Sequence, residues 1–324
     1  MNRKIADLSV SAVGLGCMGF SHAYGEAMER SEAVRMIRRA YEMGYTFFDT
    51  AECYIGKYAD GTKAVNEDVV GEALEPIRDR VVVATKCGVH HLPGRRELRD
   101  SSPGEIRRAV EGSLRRLRTD CIDLYYQHRI DKNVEPETVA DTMAALMREG
   151  KIRHWGISDV GEEYLRRAHN VCPVAAVQNC YSMVYRHDDC LFPVLEELGV
   201  AYVSYSPLTN GLLSVGFDLE FTSSLDHRML MKQFRPEGLE KSRELLELLR
   251  TLAEQKAATP AQVALAWMMC KKPYIIPIPG SRKEARLQEN FGATALQLSP
   301  EEIAAIDTRL NAMDFSFIGG SPRR

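Results

Sequence analysis

The sequence predicts an α/β protein: one (β/α)8 TIM barrel with an N-terminal β-hairpin and extra C-terminal helices, a single domain over residues 1–324. Three observations predict it. Short β-branched or aromatic runs alternate with longer amphipathic stretches eight times, with no break in composition between them. The runs are apolar enough to be buried on both faces, as parallel strands are. A chain of 324 residues exceeds the usual domain, yet barrels commonly reach this length as one unit.

The strand runs fall at 13–15, 45–48, 81–84, 122–126, 152–156, 175–177, 201–204 and 274–276. Ahead of them, residues 4–6 and 8–10 around Asp7 form a small hairpin suited to plug the barrel floor. The helices have readable ends. Ser31 caps a helix from Glu32, with Val34, Ile37 and Tyr41 at helical spacing and Gly44 just past its end. Asn66 caps the second. Ser102-Pro103 starts the third, whose Ile106, Val110, Leu114 and Leu117 form one apolar stripe. Helices at 137–149, 162–169 and 189–198 follow. Two more (241–256 and 260–270) come after the seventh strand, and two (282–290 and 300–310) after the eighth. The stretches least like regular structure are 55–65, 89–101, 214–237 and the tail from Met313. Loops at strand ends of a barrel build its substrate pocket.

Composition narrows the function. Hydrophobic residues make up 45% of the chain, enough for a full core, and the net charge of −3 offers no basic surface to nucleic acid. The eight cysteines (17, 53, 87, 121, 172, 180, 190, 270) include no C-x-x-C and read as reduced thiols. The N-terminus has no apolar leader, and no window holds the roughly 18 apolar residues of a membrane helix. These features lead us to expect a soluble, cytoplasmic protein acting on a small molecule. Oligomeric state is not legible.

Gly14-Leu15-Gly16-Cys17-Met18-Gly19 has the spacing of a dinucleotide fingerprint, but that motif needs a helix to open at once on a pyrophosphate. Here a loop follows, so the glycines are expected to shape a barrel loop. The stronger signal is polar residues at strand ends: Asp49, Lys86, His128, Ser158 with Asp159, Gln178 with Asn179, and Tyr205 close strands two to seven. Each alone has an ordinary structural explanation. In a barrel, all converge on the C-terminal mouth, where active sites sit.

At this point the sequence resembles the aldo-keto reductases. Phe48-Asp49-Thr50-Ala51-Glu52-Cys53-Tyr54 is similar to the family's second-strand motif, Val83-Ala84-Thr85-Lys86 to its lysine strand, and Asp123-Leu124-Tyr125-Tyr126-Gln127-His128 to its histidine strand. Gly156-Ile157-Ser158, Val177-Gln178-Asn179-Cys180-Tyr181-Ser182 and Tyr205-Ser206-Pro207-Leu208 resemble its cofactor-contact segments. Ile278-Pro279-Gly280-Ser281-Arg282 through Glu289-Asn290 resembles the segment that meets an adenosine 2′-phosphate. The resemblance spans roughly residues 4 to 310.

The resemblance implies reduction of an aldehyde or ketone by hydride transfer from NADPH. Tyr54 is then the general acid/base. A free phenol titrates at about 10, and Lys86 beside it is expected to lower that value, with Asp49 holding Lys86 charged. His128 is expected to hydrogen-bond the substrate oxygen. Tyr205 is implied to stack on the nicotinamide, with Ser158, Asp159 and Gln178 at the carboxamide. Gly19, Ser206, Pro207, Leu208, Gly211 and Gly280 complete the implied path of the cofactor. Ser281, Arg282 and Arg286 are implied to meet the 2′-phosphate, and Glu289 and Asn290 the adenine. Two positions depart from the family pattern: Asp159 stands where Asn is common, and Asn210 where Arg often stands.

Among weaker signals, Phe20, Tyr24, His91, Arg129, Phe217 and Phe315 lie on loops that suit a substrate pocket. His90-His91 reads as loop polarity. Alkylation of Cys53, next to Tyr54, is expected to slow turnover, and Cys87 is expected to point away from Lys86. Two other functions fit the fold. Lys86 as a Schiff-base lysine leaves Asp49, Tyr54 and residues 281–290 without a joint explanation. A non-catalytic NADP(H) sensor, like potassium-channel β subunits, predicts cofactor binding without turnover.

Overall fold

Eight parallel strands follow one another around the sheet in strict chain order, the arrangement that a right-handed strand-helix-strand unit generates when repeated. The computed structural model describes residues 2–92, 96–214 and 226–318. The barrel strands are β1 (Leu15–Gly16), β2 (Phe47–Asp49), β3 (Val82–Cys87), β4 (Ile122–Gln127), β5 (Ile152–Ser158), β6 (Ala176–Cys180), β7 (Ala201–Tyr205) and β8 (Ile275–Pro277). All eight runs expected from the sequence are present.

The ring closes between β1 and β8. Gly14 N–H donates to the Pro277 carbonyl at 2.9 Å and Gly16 N–H to that of Pro279 at 3.3 Å. A β-carbon on Gly16 would stand 2.7 Å from the Ile278 carbonyl oxygen, and one on Gly280 would stand 2.5 Å from that of Gly16. This corrects the loop expectation for two of the three glycines. Gly14 and Gly16 serve the seam: a β-carbon on Gly16 would meet backbone, and one on Gly14 would stand 2.6 Å from the Phe47 ring and 2.9 Å from the Ile278 side chain. Only Gly19 lies in a turn, Met18–Phe20.

Side chains alternate between two cores. Phe48, Val83, Cys87 and Tyr125 face the surrounding helices, while Phe47, Val82, Ala84, Leu124 and Tyr126 fill the barrel. The N-terminal hairpin (Asn2–Ile5 and Leu8–Ser11) adds Ile5, Leu8 and Val10 to that inner core. It plugs the floor as expected. Burying each such aliphatic chain contributes roughly 1.5–3 kcal/mol.

The outer helices are α1 (Arg30–Met43), α2 (Asn66–Leu74), α3 (Pro103–Leu117), α4 (Pro136–Arg148), α5 (Glu162–Val171) and α6 (Phe192–Leu198). Then come α7 (Pro236–Lys241), α8 (Arg243–Gln255), α9 (Pro260–Lys271), α10 (Glu284–Gly292) and α11 (Pro300–Asn311). Three helix starts differ from expectation. Glu29, not Ser31, caps α1, because its longer side chain reaches the N–H groups of both Ser31 and Glu32. Asn66 is the first residue of α2, and its amide is engaged elsewhere, with Thr50, Cys17 and Ser21. Ser281 accepts from Lys283 N–H at 3.0 Å, three residues ahead of the first residue of α10, and so does not cap it. Ser102 caps α3 and Gly44 closes α1 in a left-handed conformation, as expected.

Two stretches expected to be irregular are hairpins: Ile55–Lys57 with Lys63–Val65, and Val89–Leu92 with Arg96–Arg99. Strands of three or four residues are too short for alternation to reveal. Phe217 lies outside the described residues. Among the described residues no helix is long and apolar enough to cross a membrane.

Candidate active site

The turn after β2 is stitched to β3 by backbone hydrogen bonds. Thr50 N–H donates to Ala84 O at 2.9 Å and Glu52 N–H to Lys86 O at 3.2 Å. Alternation turns Lys86 inward on the same face as Val82 and Ala84, and the turn carries Tyr54 over the lysine. Cys87 faces the opposite side, as expected.

Lys86 is fully buried and donates to Asp49 Oδ1 at 2.5 Å, Thr50 O at 2.8 Å and Tyr54 OH at 3.5 Å. Gln178 donates to the other Asp49 oxygen at 2.7 Å. Burial pushes the Asp49 carboxyl up, while Lys86 and Gln178 oppose that rise. A buried carboxylate with both oxygens satisfied is the condition for keeping such a charge out of water.

The expected lowering of Tyr54 is not what the geometry produces. Burial first, and the Asp49 carboxylate second, hold its phenol well above the usual value. Lys86 lies closer to Asp49 than to the phenol, so its charge is largely compensated there. Tyr54 therefore rests protonated. His128 follows β4, with its N–H bonded to Cys87 O at 3.0 Å and its ring 5.7 Å from that of Tyr54. Burial, then the neighbouring Arg129 and Lys86 charges, push the His128 imidazole well below its usual range, so it is neutral.

Cys53 is buried beneath the same turn, with its thiol pushed up to about 12 by burial. Such a thiol is a poor nucleophile, so alkylation is a weak probe of it.

His22, His91 and His227 form a wall beside Tyr54. His22 stacks on Tyr54 at 6.0 Å and on His91 at 5.3 Å, and His227 meets its edge at 5.9 Å. Sequence reasoning proposed only His91. The other two are single histidines in loops, with no spacing signal to mark them. Tyr24 lies on the same loop as His22 and accepts a hydrogen bond from Asn210 at 3.0 Å. Phe20 is buried in the core instead. Phe315 lines a cleft of about 580 Å³ with residues that include Tyr185 and Asn311, and none of the tetrad Asp49, Tyr54, Lys86 and His128 lines it. His90 pairs with Glu105 at 3.0 Å.

The residues implied for the cofactor lie along the C-terminal ends of β5 to β8. Ser158 and Asp159 meet Arg129, and Tyr205 donates to Asp159 at 2.8 Å. Ser206 has a φ of +51° and Gly211 of +102°, so the chain turns sharply along Ser206–Gly211, past Pro207 and Leu208. Asn179 binds Val160 and Asp188, a structural role. Across the mouth, Arg282 Nε donates to Gly19 O and one Nη to Glu26 O at 2.8 Å. Its second Nη is buried without a hydrogen-bond partner among the described residues. Arg286 pairs with Glu289 at 2.5 Å, and Asn290 is buried.

The sequence model of the Aldo/keto reductase family matches residues 12–311. A soybean (Glycine max) protein described as probable aldo-keto reductase 1 is 36% identical over 299 residues, 92% of this chain and 84% of that protein. The fold is similar to the glycerol dehydrogenase of Gluconobacter oxydans, with a TM-score of 0.85 and 28% identity, covering 100% of this chain and 99% of that one. It is also similar to an aldo/keto reductase from Klebsiella pneumoniae solved with NADP and acetate, with a TM-score of 0.72 and 28% identity over 98% and 94% of the two chains.

Proposed function

The chain belongs to the Aldo/keto reductase family, and from that premise we propose that it reduces an aldehyde or ketone to an alcohol with NADPH, Tyr54 supplying the proton. The observation that carries this reading is Lys86, held between Asp49, Thr50 O and the Tyr54 hydroxyl in a buried site.

Bound NADPH supplies a hydride to the carbonyl carbon. As the carbonyl oxygen gains charge, the protonated Tyr54 donates to it, and Lys86 stabilises the phenolate left behind. Asp49 keeps Lys86 oriented for that moment. Neutral His128 contributes a ring N–H to the oxygen. The unpartnered Arg282 Nη suits a phosphate oxygen, which supports NADP(H) over NAD(H). The Klebsiella pneumoniae relative solved with NADP supports the same cofactor, and the glycerol dehydrogenase relative supports alcohol-carbonyl interconversion.

The test is the loss of NADPH absorbance against a panel of aldehydes and quinones, with Tyr54→Phe and NADH in parallel. Turnover that prefers NADPH and collapses in Tyr54→Phe is the expected result. Cofactor binding with no turnover of any carbonyl replaces this reading with a sensor.

A further inference from the structure

Arg129 follows His128 in the chain, and its side chain is 23% exposed. Nε lies 3.0 Å from Asp159 Oδ2, and one Nη donates to His128 O at 2.7 Å and Ser158 Oγ at 3.2 Å. The guanidinium sits 5.8 Å from the centre of the Tyr205 ring. Asp159 accepts from Tyr205 OH at 2.8 Å and has a φ of +53°, a conformation costly for a residue with a β-carbon. Strain of that kind persists where surrounding contacts fix it, and here Arg129 and Tyr205 both hold the carboxylate.

This cluster joins Ser158, Asp159 and Tyr205, three of the residues proposed above for the nicotinamide end. The inference therefore rests on that cofactor reading. We propose that Arg129 is a positioning residue for the nicotinamide, and that with Asp159 it sets the relative affinity for the reduced and oxidised cofactor.

Two arguments carry it. An amide side chain both donates and accepts, whereas a carboxylate only accepts. Arg129 lies against Asp159 and supplies N–H donors, so the pair offers a carboxamide both kinds of partner. The second argument is charge. The nicotinamide ring is neutral when reduced and positive when oxidised. A lone carboxylate beside it favours the oxidised form, and a lone guanidinium disfavours it. Arg129 and Asp159 together cancel, and the guanidinium keeps its charge throughout the physiological range.

The experiment measures dissociation constants for NADPH and NADP+ separately, by quenching of protein fluorescence, in wild type, Arg129→Met, Asp159→Asn and the double variant. Arg129→Met is expected to lower the ratio Kd(NADP+)/Kd(NADPH) about tenfold. Asp159→Asn is expected to raise it, and the double variant to return it near the wild-type value. Arg129→Lys keeps the charge and is expected to keep the ratio. If Arg129→Met does not fold, Asp159→Asn carries the same test with the opposite sign. An unchanged ratio in variants that bind both forms overturns the inference, as does an equal weakening of both forms, which marks a purely structural role. Wild-type protein that binds neither form overturns the cofactor reading itself, and the inference with it.

Discussion

Cys53 Sγ stands 3.4 Å from Nδ1 of His128. Burial keeps the thiol protonated, and we expect it to donate its S–H to Nδ1, with the ring proton on Nε2. The imidazole is thereby fixed as a donor at its other nitrogen, the role proposed for it toward the substrate oxygen. A hydrogen bond of net worth about 0.5–1.5 kcal/mol corresponds to about a two- to tenfold change in rate. Cys53→Ala is expected to lower kcat by that factor and Cys53→Ser to recover most of it, with the His128 tautomer read by nitrogen NMR. Unchanged kcat and tautomer in Cys53→Ala refute the idea.

The Lys86–Asp49 pair separates stability from catalysis. Lys86→Met leaves a buried carboxylate with only Gln178, and breaking such a pair costs about 3–5 kcal/mol. Adding Asp49→Asn removes the unpaired charge. Denaturant midpoints are expected to fall in Lys86→Met and to recover in the double variant, while kcat stays low in both. Recovery of turnover in the double variant contradicts the role given to Lys86.

How far the sequence reached follows from the kind of signal each feature leaves. The barrel was legible because a mostly apolar strand such as Ile122–Gln127, buried along its whole length, needs only its composition to be seen. The tetrad was legible because strand ends project to one mouth. The resting state of Tyr54 was not: whether Lys86 lies closer to Asp49 or to the phenol depends on side-chain distances, which spacing does not encode. Arg129 was readable only as pocket lining, since its partner Asp159 is 30 residues away. Gln178 was assigned to the cofactor, yet its amide donates to Asp49.

The pH profile follows from the two shifts beside the substrate. His128 is held below its usual range and Tyr54 above its own, so neither changes charge between about pH 6.5 and 10. For carbonyl reduction, kcat/KM is expected to stay flat across that span, because the phenol keeps its proton as pH rises. A basic limb near pH 8 to 9 that disappears in Tyr54→Phe overturns this. Stability behaves differently. The folded His128 has the depressed value, so the unfolded chain binds the extra proton first, and stability is lost as pH falls below about 6.5. His128→Asn is expected to flatten that loss in urea titrations.

The barrel seam predicts two opposite glycine effects. Gly16→Ala places a methyl group 2.7 Å from the Ile278 carbonyl oxygen, backbone that has little room to move. Overpacking of this kind costs typically about 1–3 kcal/mol. Gly104 lies in the first turn of α3, and a β-carbon there meets nothing within 4 Å. Gly104→Ala is expected to stabilise by about 0.4–1 kcal/mol, mainly by restricting the unfolded chain. Thermal melts of both variants decide it, and equal shifts in the same direction contradict the close approach at the seam.

Arg282 does two things that substitution can separate. Through Nε and one Nη it holds the carbonyls of Gly19 and Glu26, tying the first loop to the last barrel strand. Its second Nη is buried and unpartnered among the described residues, the feature that suits a 2′-phosphate. Losing a hydrogen bond to a charged group costs about 1.5–3 kcal/mol, or about ten- to a hundredfold in affinity. Arg282→Met is therefore expected to weaken NADPH by that factor and to leave NADH, which lacks the phosphate, nearly unchanged. Equal weakening of both cofactors assigns Arg282 to the loop tether alone. Any preference for NADPH is then assigned to Ser281 and Arg286, the latter once its pairing with Glu289 opens.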